Sequence, residues 1–472
     1  MRAISCLTVL STSVSALLLS AGLTGSAPAT AESRPLDHGQ VQLNTHRPDV
    51  SLRFSSPQAG EGLLDLTVSA PGVLWAERGN ESSVVSAFVD DAYMTDIVIN
   101  SSEPTLRRFA LGRLTAGPHT LRLYYATDRS PSDAGRAALS GLQVQTIGVG
   151  DADNVAARNA PVLYGRSLAQ WGGPFQNAFT DTPLVAWHET SAASVPGHSV
   201  IQYSVVWSNE DGGTDSPALM ARWGRTTDIE WIYQVEVDQD GDRVPGTGVY
   251  QAPNHATLPF AGRYEGAHPL LQTCTSNNNV CDTVDGAMRF TPSTMQTGPA
   301  GAPRERLMDT NPWTYQVMAQ EMLREGRLES PSDPSTPQVG DQRSYLYVAI
   351  DHDTVPPQDA GKVGLAVGVR LKGDDTLYTS HHGVASWSLN RDVPAATTVE
   401  LPLGTTPGDV AEVSVTRVPL GADSGAPLTV TDIDRAFFLA SDYLPEASFI
   451  EWHGERSLTP QAPTVTLWGA GS

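Results

Sequence analysis

The sequence is poor in lysine and in long apolar runs. Only Lys362 and Lys372 are lysines among the 30 basic residues, and 52 acidic residues give the 472-residue chain a net charge of −22. This balance argues against nucleic acid or an anionic membrane as a partner. No apolar run after residue 31 approaches the roughly 18 to 20 residues of a membrane-spanning helix. We therefore predict no membrane span.

The first residues have the pattern of a secretory signal peptide. Arg2 precedes a serine-broken apolar stretch, and Ala29-Thr30-Ala31 supplies the small residues that a signal peptidase requires. We expect a signal peptide over 1–31, cleaved near Ala31, and a secreted protein. Cleavage would remove one arginine and no acid, which takes the net charge from −22 to −23.

Cysteine is scarce as well. Only Cys274 and Cys281 would remain after cleavage, and in an oxidising compartment this spacing predicts one disulfide around a short loop. The alternative is a metal site with two thiolates, but no histidine pair stands at finger-like spacing.

The remaining chain is predicted to be all-β, with two or three β-sandwich-like units and one inter-domain helix. Glycine (42) and proline (34) are frequent, and runs with period-2 alternation lie between turn signals. About 440 residues are too many for one core. We predict an N-terminal accessory or binding sandwich over 40–147, a central β-rich domain with the disulfide over 155–295, a helix with linkers over 309–328, and a C-terminal sandwich-like unit over 340–470. Alternatively, the last two β units form one split sandwich.

The helix is predicted from its start signals and its periodicity. N-cap candidates at 309–311 precede Pro312, which suits a first helical position. Over 313–327 the apolar residues then follow one stripe, formed by Tyr315, Met318, Ala319 and Met322.

The strand predicted over 226–238 carries the candidate catalytic pair. Strict alternation would place Ile229, Trp231 and Tyr233 on one face, and Asp228 and Glu230 on the other. Two same-face neighbours lie roughly 6–7 Å apart by strand rise, and glycoside hydrolysis uses carboxyl groups roughly 5–9.5 Å apart. The alternative is the solvated outer face of a sandwich.

Three tryptophans and one histidine are candidate ligand-binding residues. Trp171, Trp207 and Trp223 adjoin glycine or polar turn residues, and exposed rings in such places stack on sugars. Core packing is the alternative. His188 precedes Glu189 and is a candidate base or ligand, or else a satisfied histidine at a strand end. A metal site would require the fold to gather His188, His255 and His268.

The acidic run 238–242 is a candidate calcium site. Asp238, Asp240 and Asp242 would supply oxygen ligands of the kind that weak extracellular calcium sites use. The simpler alternative is a hairpin tip, because Asp-Gly favours a tight turn. Serine-hydrolase, zinc-protease, kinase and dehydrogenase motifs do not occur in the sequence.

Residues 160–269 resemble a domain named for its likeness to a fungal vacuolar-sorting protein. The resemblance rests on NAPVLYGR (159–166), TDIEW (227–231) and NHATLPF (254–260), although the order Asp228-Ile229-Glu230-Trp231 departs from the Asp-Trp-Glu run of that group. It implies a β-rich core and no mechanism. The N-terminal stretch RLTAGPHTLRLYY (113–125) is similar to generic carbohydrate-binding or immunoglobulin-like sandwiches.

Two functions follow from these patterns. The first is a secreted protein that binds an extracellular polysaccharide or a cell-surface glycan. The second is a glycan-directed hydrolase that uses Asp228 and Glu230, with tryptophans as its sugar platform.

Overall fold

A computed structural model describes residues 34–35, 39–210, 215–298, 301–354, 362–391 and 394–470. The predicted signal peptide over 1–31 lies outside the described residues. Strands account for 46% and helices for 12% of the structure, so the predicted all-β class is confirmed. Among the described residues, no helix has the length and apolar character needed to cross a membrane.

The N-terminal unit is a sandwich of two antiparallel sheets. One sheet has the order β1-β9-β4-β7, with β2 also paired to β9, and the other has the order β3-β8-β5-β6. Both sheets contribute to one apolar core, in which Leu64 and Leu123 are fully buried. The strands are β1 (Arg34–Pro35), β2 (Val41–Asn44), β3 (Asp49–Ser56), β4 (Gly60–Ser69), β5 (Ser83–Val89), β6 (Ala92–Ile99), β7 (Thr105–Leu114), β8 (Gly117–Tyr125) and β9 (Arg136–Gly148).

The central unit also contains two sheets, preceded by a short helix. The elements are α1 (Asn154–Asn159), β10 (Val162–Tyr164), β11 (Pro183–Ala192), β12 (Ser199–Trp207), α2 (Ser216–Trp223), β13 (Asp228–Val237), β14 (Val249–Ala252), β15 (Ala256–Pro259), β16 (Tyr264–Glu265), β17 (His268–Thr273), β18 (Val280–Cys281) and β19 (Arg289–Phe290). Strands β11 to β15 pair in chain order, while the second sheet has the order β16-β17-β10-β19 with β18 on β17. The pair β10–β17 is parallel.

The C-terminal sandwich follows two further helices. The elements are α3 (Arg306–Asp309), α4 (Trp313–Glu325), β20 (Tyr345–Thr354), β21 (Val363–Leu371), β22 (Tyr378–Thr379), β23 (Ala395–Glu400), β24 (Val410–Pro419), β25 (Leu428–Phe437), β26 (Trp452–Leu458) and β27 (Thr464–Gly469). Its sheets have the orders β23-β20-β25-β26 and β22-β21-β24-β27. They enclose an apolar core of their own, which is separate from that of the central unit.

Short 3₁₀ turns connect several strands. They span Ala169–Trp171, Gly173–Ala178, Pro253–His255, Gln342–Ser344, Ala385–Trp387 and Pro407–Asp409.

The predicted helix is observed as α4, and Gly326 ends it in a left-handed conformation. Pro312 takes the N-cap position without a side-chain cap. The expected N-cap oxygens act elsewhere, since Asp309 ends α3 and accepts a hydrogen bond from Tyr315. The apolar stripe of α4 is buried against the β11–β15 sheet on one side and the β20 sheet on the other.

Helix α2 was not predicted from the sequence. Its N-terminal Pro217 fits the first turn, and Gly224 ends it at a φ of 65°, where glycine is favoured. Trp223 therefore ends a helix instead of lying in a turn.

Candidate functional site

A β-bulge in β13 decides where the candidate acid pair points. Tyr203 of β12 is paired with Tyr233 and Ser204 with Trp231, so Ile232 is an extra residue without a partner. An extra residue reverses the alternation along a strand. The prediction that Ile229, Trp231 and Tyr233 share one face is therefore wrong.

Cross-strand partners identify the face of each acid. Asp228 lies opposite Trp207 and Glu230 opposite Val205, and both partners belong to the core between the two central sheets. Directly opposed residues share a face. The two carboxylates do share one face as predicted, but it is the face turned into the sandwich.

Asp228 is buried at the start of β13. Its residue is 2% exposed, and its Oδ2 accepts a hydrogen bond of 3.0 Å from Asn278 Nδ2. Burial raises the pKa of Asp228 well above its usual value, and the nearby charges of Glu230 and Glu210 raise it further, against the opposing effects of Arg225 and Asn278. Asp228 therefore favours its protonated form.

Asn278 lies in a disulfide-closed loop that places its side chain beside Asp228. Cys274 and Cys281 are bonded as predicted, and the loop between them carries three successive asparagines. The amide of Asn278 also donates to the carbonyl oxygen of Asn209 at 3.0 Å and lies 3.3 Å from Asp181 Oδ1. One side chain thus joins three distant segments of the chain.

A buried ion pair extends these contacts into a network, which consists of Arg166, Asp181, Asp228 and Asn278. Arg166 Nη2 lies 2.5 Å from Asp181 Oδ2, and both side chains are completely buried. Arg166 Nη1 also donates to the carbonyl oxygen of Thr275 at 3.3 Å, which ties the arginine to the disulfide loop. The guanidinium carbon lies 5.7 Å from the ring centre of Trp171.

Among the described residues, four lie where this network approaches the surface, and we call them the rim: Trp171, Glu230, His255 and Asn277. The indole residue is 37% exposed, and the side chains of His255 and Glu230 are 52% and 17% exposed. His255 Nδ1 lies 3.8 Å from Glu230 Oε1, and its Nε2 lies 3.2 Å from Asn277 Nδ2. The rim therefore combines an aromatic ring with a carboxylate, an imidazole and an amide.

Backbone strain is concentrated in this network. Four of the eight non-glycine residues that the structure describes with positive φ belong to it or adjoin it: Asp181, Asn254, His255 and Asn278. Such conformations persist where the surroundings enforce them, and they cluster at binding and catalytic sites. This clustering marks the network as the candidate functional site.

The structure brings only part of the predicted set together. Asp228 belongs to the network, and Glu230 and Trp171 belong to the rim. Trp207 is fully buried as the last residue of β12, so it has no free face for a sugar. The prediction that Trp207 binds a ligand is therefore wrong. Trp223 lies apart, with the guanidinium carbons of Arg222 and Arg391 at 4.1 and 4.9 Å from its ring centre.

The three histidines are not gathered. His188 Nδ1 lies 2.6 Å from the carbonyl oxygen of Thr294, in agreement with a satisfied histidine at a buried position. His255 belongs to the rim and contacts Asn277, whereas His268 contacts Glu61 of the N-terminal sandwich. No group of three or more His, Cys, Asp or Glu side chains suited to a metal ion occurs in the described part of the chain.

The acidic run 238–242 has the geometry of a turn. Asp238 Oδ1 accepts from the backbone N–H groups of Asp240 and Asp242 at 3.0 and 2.9 Å, and Asp242 pairs with Arg158 at 2.7 Å. The calcium prediction at Asp238, Asp240 and Asp242 is corrected, because two of these carboxylates are committed to turn and ion-pair contacts.

Sequence reasoning missed Arg166, Asp181 and Asn278. The run of three asparagines inside a disulfide loop was the available signal, since so short a loop holds its polar side chains in fixed positions. Arg166 and Asp181 had no comparable signal, because their pairing joins segments that only the fold brings together.

Comparisons with known proteins give weak likenesses. No protein-family model and no curated protein matches the chain, so the resemblance to the vacuolar-sorting-like domain stays a prediction. Among solved structures, the sugar-binding EclA C-terminal domain is 14% identical over 26% of this chain and 84% of its own, with a TM-score of 0.18. A CBM36-1 domain of a multidomain xylanase from the hindgut metagenome of Trinervitermes trinervoides is 14% identical over 24% and 93%, with a TM-score of 0.18. A family 35 carbohydrate binding module from Clostridium thermocellum is 13% identical over 25% and 98%, again with a TM-score of 0.18.

Proposed function

We propose that this is a secreted protein that binds an extracellular polysaccharide or cell-surface glycan at the rim. The observation that carries the proposal is the half-exposed indole of Trp171, positioned beside a buried Arg166–Asp181 pair and linked through the disulfide loop to Glu230, His255 and Asn277. Sugar rings present apolar C–H faces to aromatic rings and hydroxyl groups to carboxylate, imidazole and amide partners. The rim offers both. The disulfide supports export, because such bonds persist in oxidising compartments.

Hydrolysis of the glycan is a second candidate, favoured by the chemistry of Asp228. A carboxyl group with a raised pKa next to a second carboxylate is the arrangement that acid–base cleavage of a glycosidic bond uses. The burial of Asp228 weighs against it, since a general acid must reach the glycosidic oxygen. Binding is therefore the better-supported function.

The test of binding is a titration of polysaccharides and their oligosaccharides against Trp171→Ala. Loss of a stacking indole should weaken binding by about 2 kcal/mol, or roughly thirty-fold. Trp387→Ala is the matched control, because Trp387 also ends a three-residue 3₁₀ turn. Equal affinities of the wild type and Trp171→Ala would refute the proposal.

The same panel separates the two functions through product release. If the protein only binds, the wild type releases no reducing ends. If it hydrolyses, reducing ends appear and fall by about 100-fold or more in Glu230→Gln. Turnover that is unchanged in Glu230→Gln and Asp228→Asn would reject the carboxylate mechanism.

A further inference from the structure

A second concave site lies between the N-terminal sandwich and the central unit. It is a cleft of about 550 Å³, which falls within the usual range for small-ligand pockets. The sandwich contributes residues of β4, β6 and β7, and the central unit contributes α1, the turn after β13 and the β16–β17 hairpin. Pockets at the boundary between two structural units are common ligand sites.

The acids of this cleft already have cationic partners. Glu61 lies 3.2 Å from His268, Asp242 lies 2.7 Å from Arg158, and Glu265 lies 2.7 Å from Arg289 at the adjoining wall. The negative charges of Asp242 and Glu265 are therefore compensated by arginines, and Glu61 is paired with a histidine.

Two arginines of the cleft have no acidic partner among the described residues. Arg113 forms no ion pair there, although it stands opposite Glu61 in the β4–β7 ladder. The guanidinium carbon of Arg243 lies 3.8 Å from the ring centre of Tyr264, and its Nη1 donates to the carbonyl oxygen of Ala267 at 3.1 Å. A guanidinium has five N–H donors, so Arg243 keeps most of its donors for a ligand. The lining thus has three arginines and three acids, so in a chain of net charge −22 this cleft lacks the acidic excess of the chain as a whole.

The floor of the cleft is a buried His268–Glu61 pair. His268 Nδ1 lies 2.8 Å from the carbonyl oxygen of Ala160, and therefore donates to it. Burial alone would lower the pKa of His268, but Glu61, the Ala160 carbonyl and Glu265 together outweigh burial and raise it. The floor is thus held by contacts from both units.

We propose that this cleft binds a carboxylate-bearing sugar unit, with Arg113 and Arg243 as its carboxylate ligands. Guanidinium groups match carboxylates in shape and charge. The polar floor suits sugar hydroxyls, and the half-buried side chain of Met94 suits the apolar face of the ring. This site is independent of the rim and of its proposed role.

The test is calorimetric titration of the full chain with D-glucuronate, D-glucose and sulfate at low ionic strength. We expect glucuronate to bind more tightly than glucose or sulfate. Arg113→Gln and Arg243→Gln should each weaken glucuronate binding about ten-fold or more, while Arg243→Lys should retain part of the affinity. Arg53→Gln is the matched control, because Arg53 is exposed on β3, and it should bind as the wild type does.

Several outcomes would overturn this proposal. They are no measurable glucuronate binding, equal binding of glucose, tighter binding of sulfate, or unchanged affinity in both arginine-to-glutamine variants. Trp171→Ala separates the cleft from the rim: it should leave the glucuronate titration unchanged, and loss of binding in that variant would place the ligand at the rim.

Discussion

At the scale of single residues, Asp228 shows how burial sets the state of a carboxyl group. Its surroundings supply one amide donor from Asn278 and two neighbouring acids, Glu210 and Glu230. A carboxylate in this position would be poorly solvated and repelled, so the pKa of Asp228 is raised despite the opposing charge of Arg225. Burial and the two neighbouring acids therefore favour the neutral form of this carboxyl group at the start of β13.

We predict that Asp228→Asn stabilises the protein at neutral pH. Because the pKa of Asp228 is raised in the folded state, ionisation favours the unfolded chain once the pH exceeds the ordinary aspartate value of about 3.9. The amide of asparagine does not ionise, and its oxygen still accepts the hydrogen bond from Asn278. The gain should be near zero below about pH 4, increase as the pH rises, and level off above the raised native pKa.

The measurement is the melting temperature of both proteins between pH 3 and pH 8. Asp375→Asn provides a control, since Asp375 is exposed in a loop of the C-terminal unit. A difference between Asp228→Asn and the wild type that stays constant with pH would contradict the explanation.

At the scale of elements, strand β13 marks the limit of sequence-based prediction. Its alternation correctly predicted a strand with Asp228 and Glu230 on one face. The bulge at Ile232 was not predictable from the pattern, because Ile232 and Tyr233 are both apolar and either one fits the core. Which residues face the core between the two central sheets therefore depended on the pairing with β12.

The disulfide loop is the element that shapes the candidate site, and its removal gives a second prediction. The loop closes over a sequence separation of 7, and the chain-entropy model assigns such a loop about 2–3 kcal/mol. We expect Cys274→Ser/Cys281→Ser to lower the free energy of unfolding by about this amount. It should also weaken glycan binding at the rim, because Asn277 and Thr275 lose their fixed positions.

Chemical denaturation and titration of the double variant measure the two effects separately. Asn277→Ala keeps the disulfide and removes one rim contact, so it should reduce binding with little change in stability. Glycan affinity that persists in the double variant would show that the loop has no positioning role.

At the scale of the whole molecule, the units are joined by shared cores and by polar contacts. One apolar cluster combines Trp187 and Ile229 of the central unit with Met318 of α4 and Tyr347 of β20. Helix α4 also contacts the N-terminal sandwich, because the indole N–H of Trp75 donates a hydrogen bond to the carboxylate of Glu321. The hydroxyl of Thr180, which precedes Asp181, lies 2.9 Å from Glu321 Oε1.

This arrangement explains why the fold was more predictable than the site. Period-2 patterns, the α4 stripe and the cysteine pair are local features, and each is visible in one stretch of sequence. The network joins Arg166, Asp181, Asp228 and Asn278, which are up to 112 residues apart in the sequence. These residues come into contact only through the pairing of strands that are distant in the sequence, and no local pattern predicts that pairing.

The shared apolar cluster predicts coupled stability of the central and C-terminal units. Met318 is fully buried in it, and its Sδ accepts a hydrogen bond of 3.3 Å from the backbone N–H of Thr226. Met318→Ala should cost about 2–5 kcal/mol through the cavity that it leaves, without loss of helix propensity. Amide hydrogen exchange should therefore accelerate in both β12 and β20.

Val415→Ala is the control, because Val415 packs only in the core of the C-terminal sandwich. This variant should accelerate exchange in β20 and leave β12 protected. Unchanged protection of β12 in Met318→Ala would mean that the two units open independently, since a cavity in a truly shared core must weaken the strands on both of its sides.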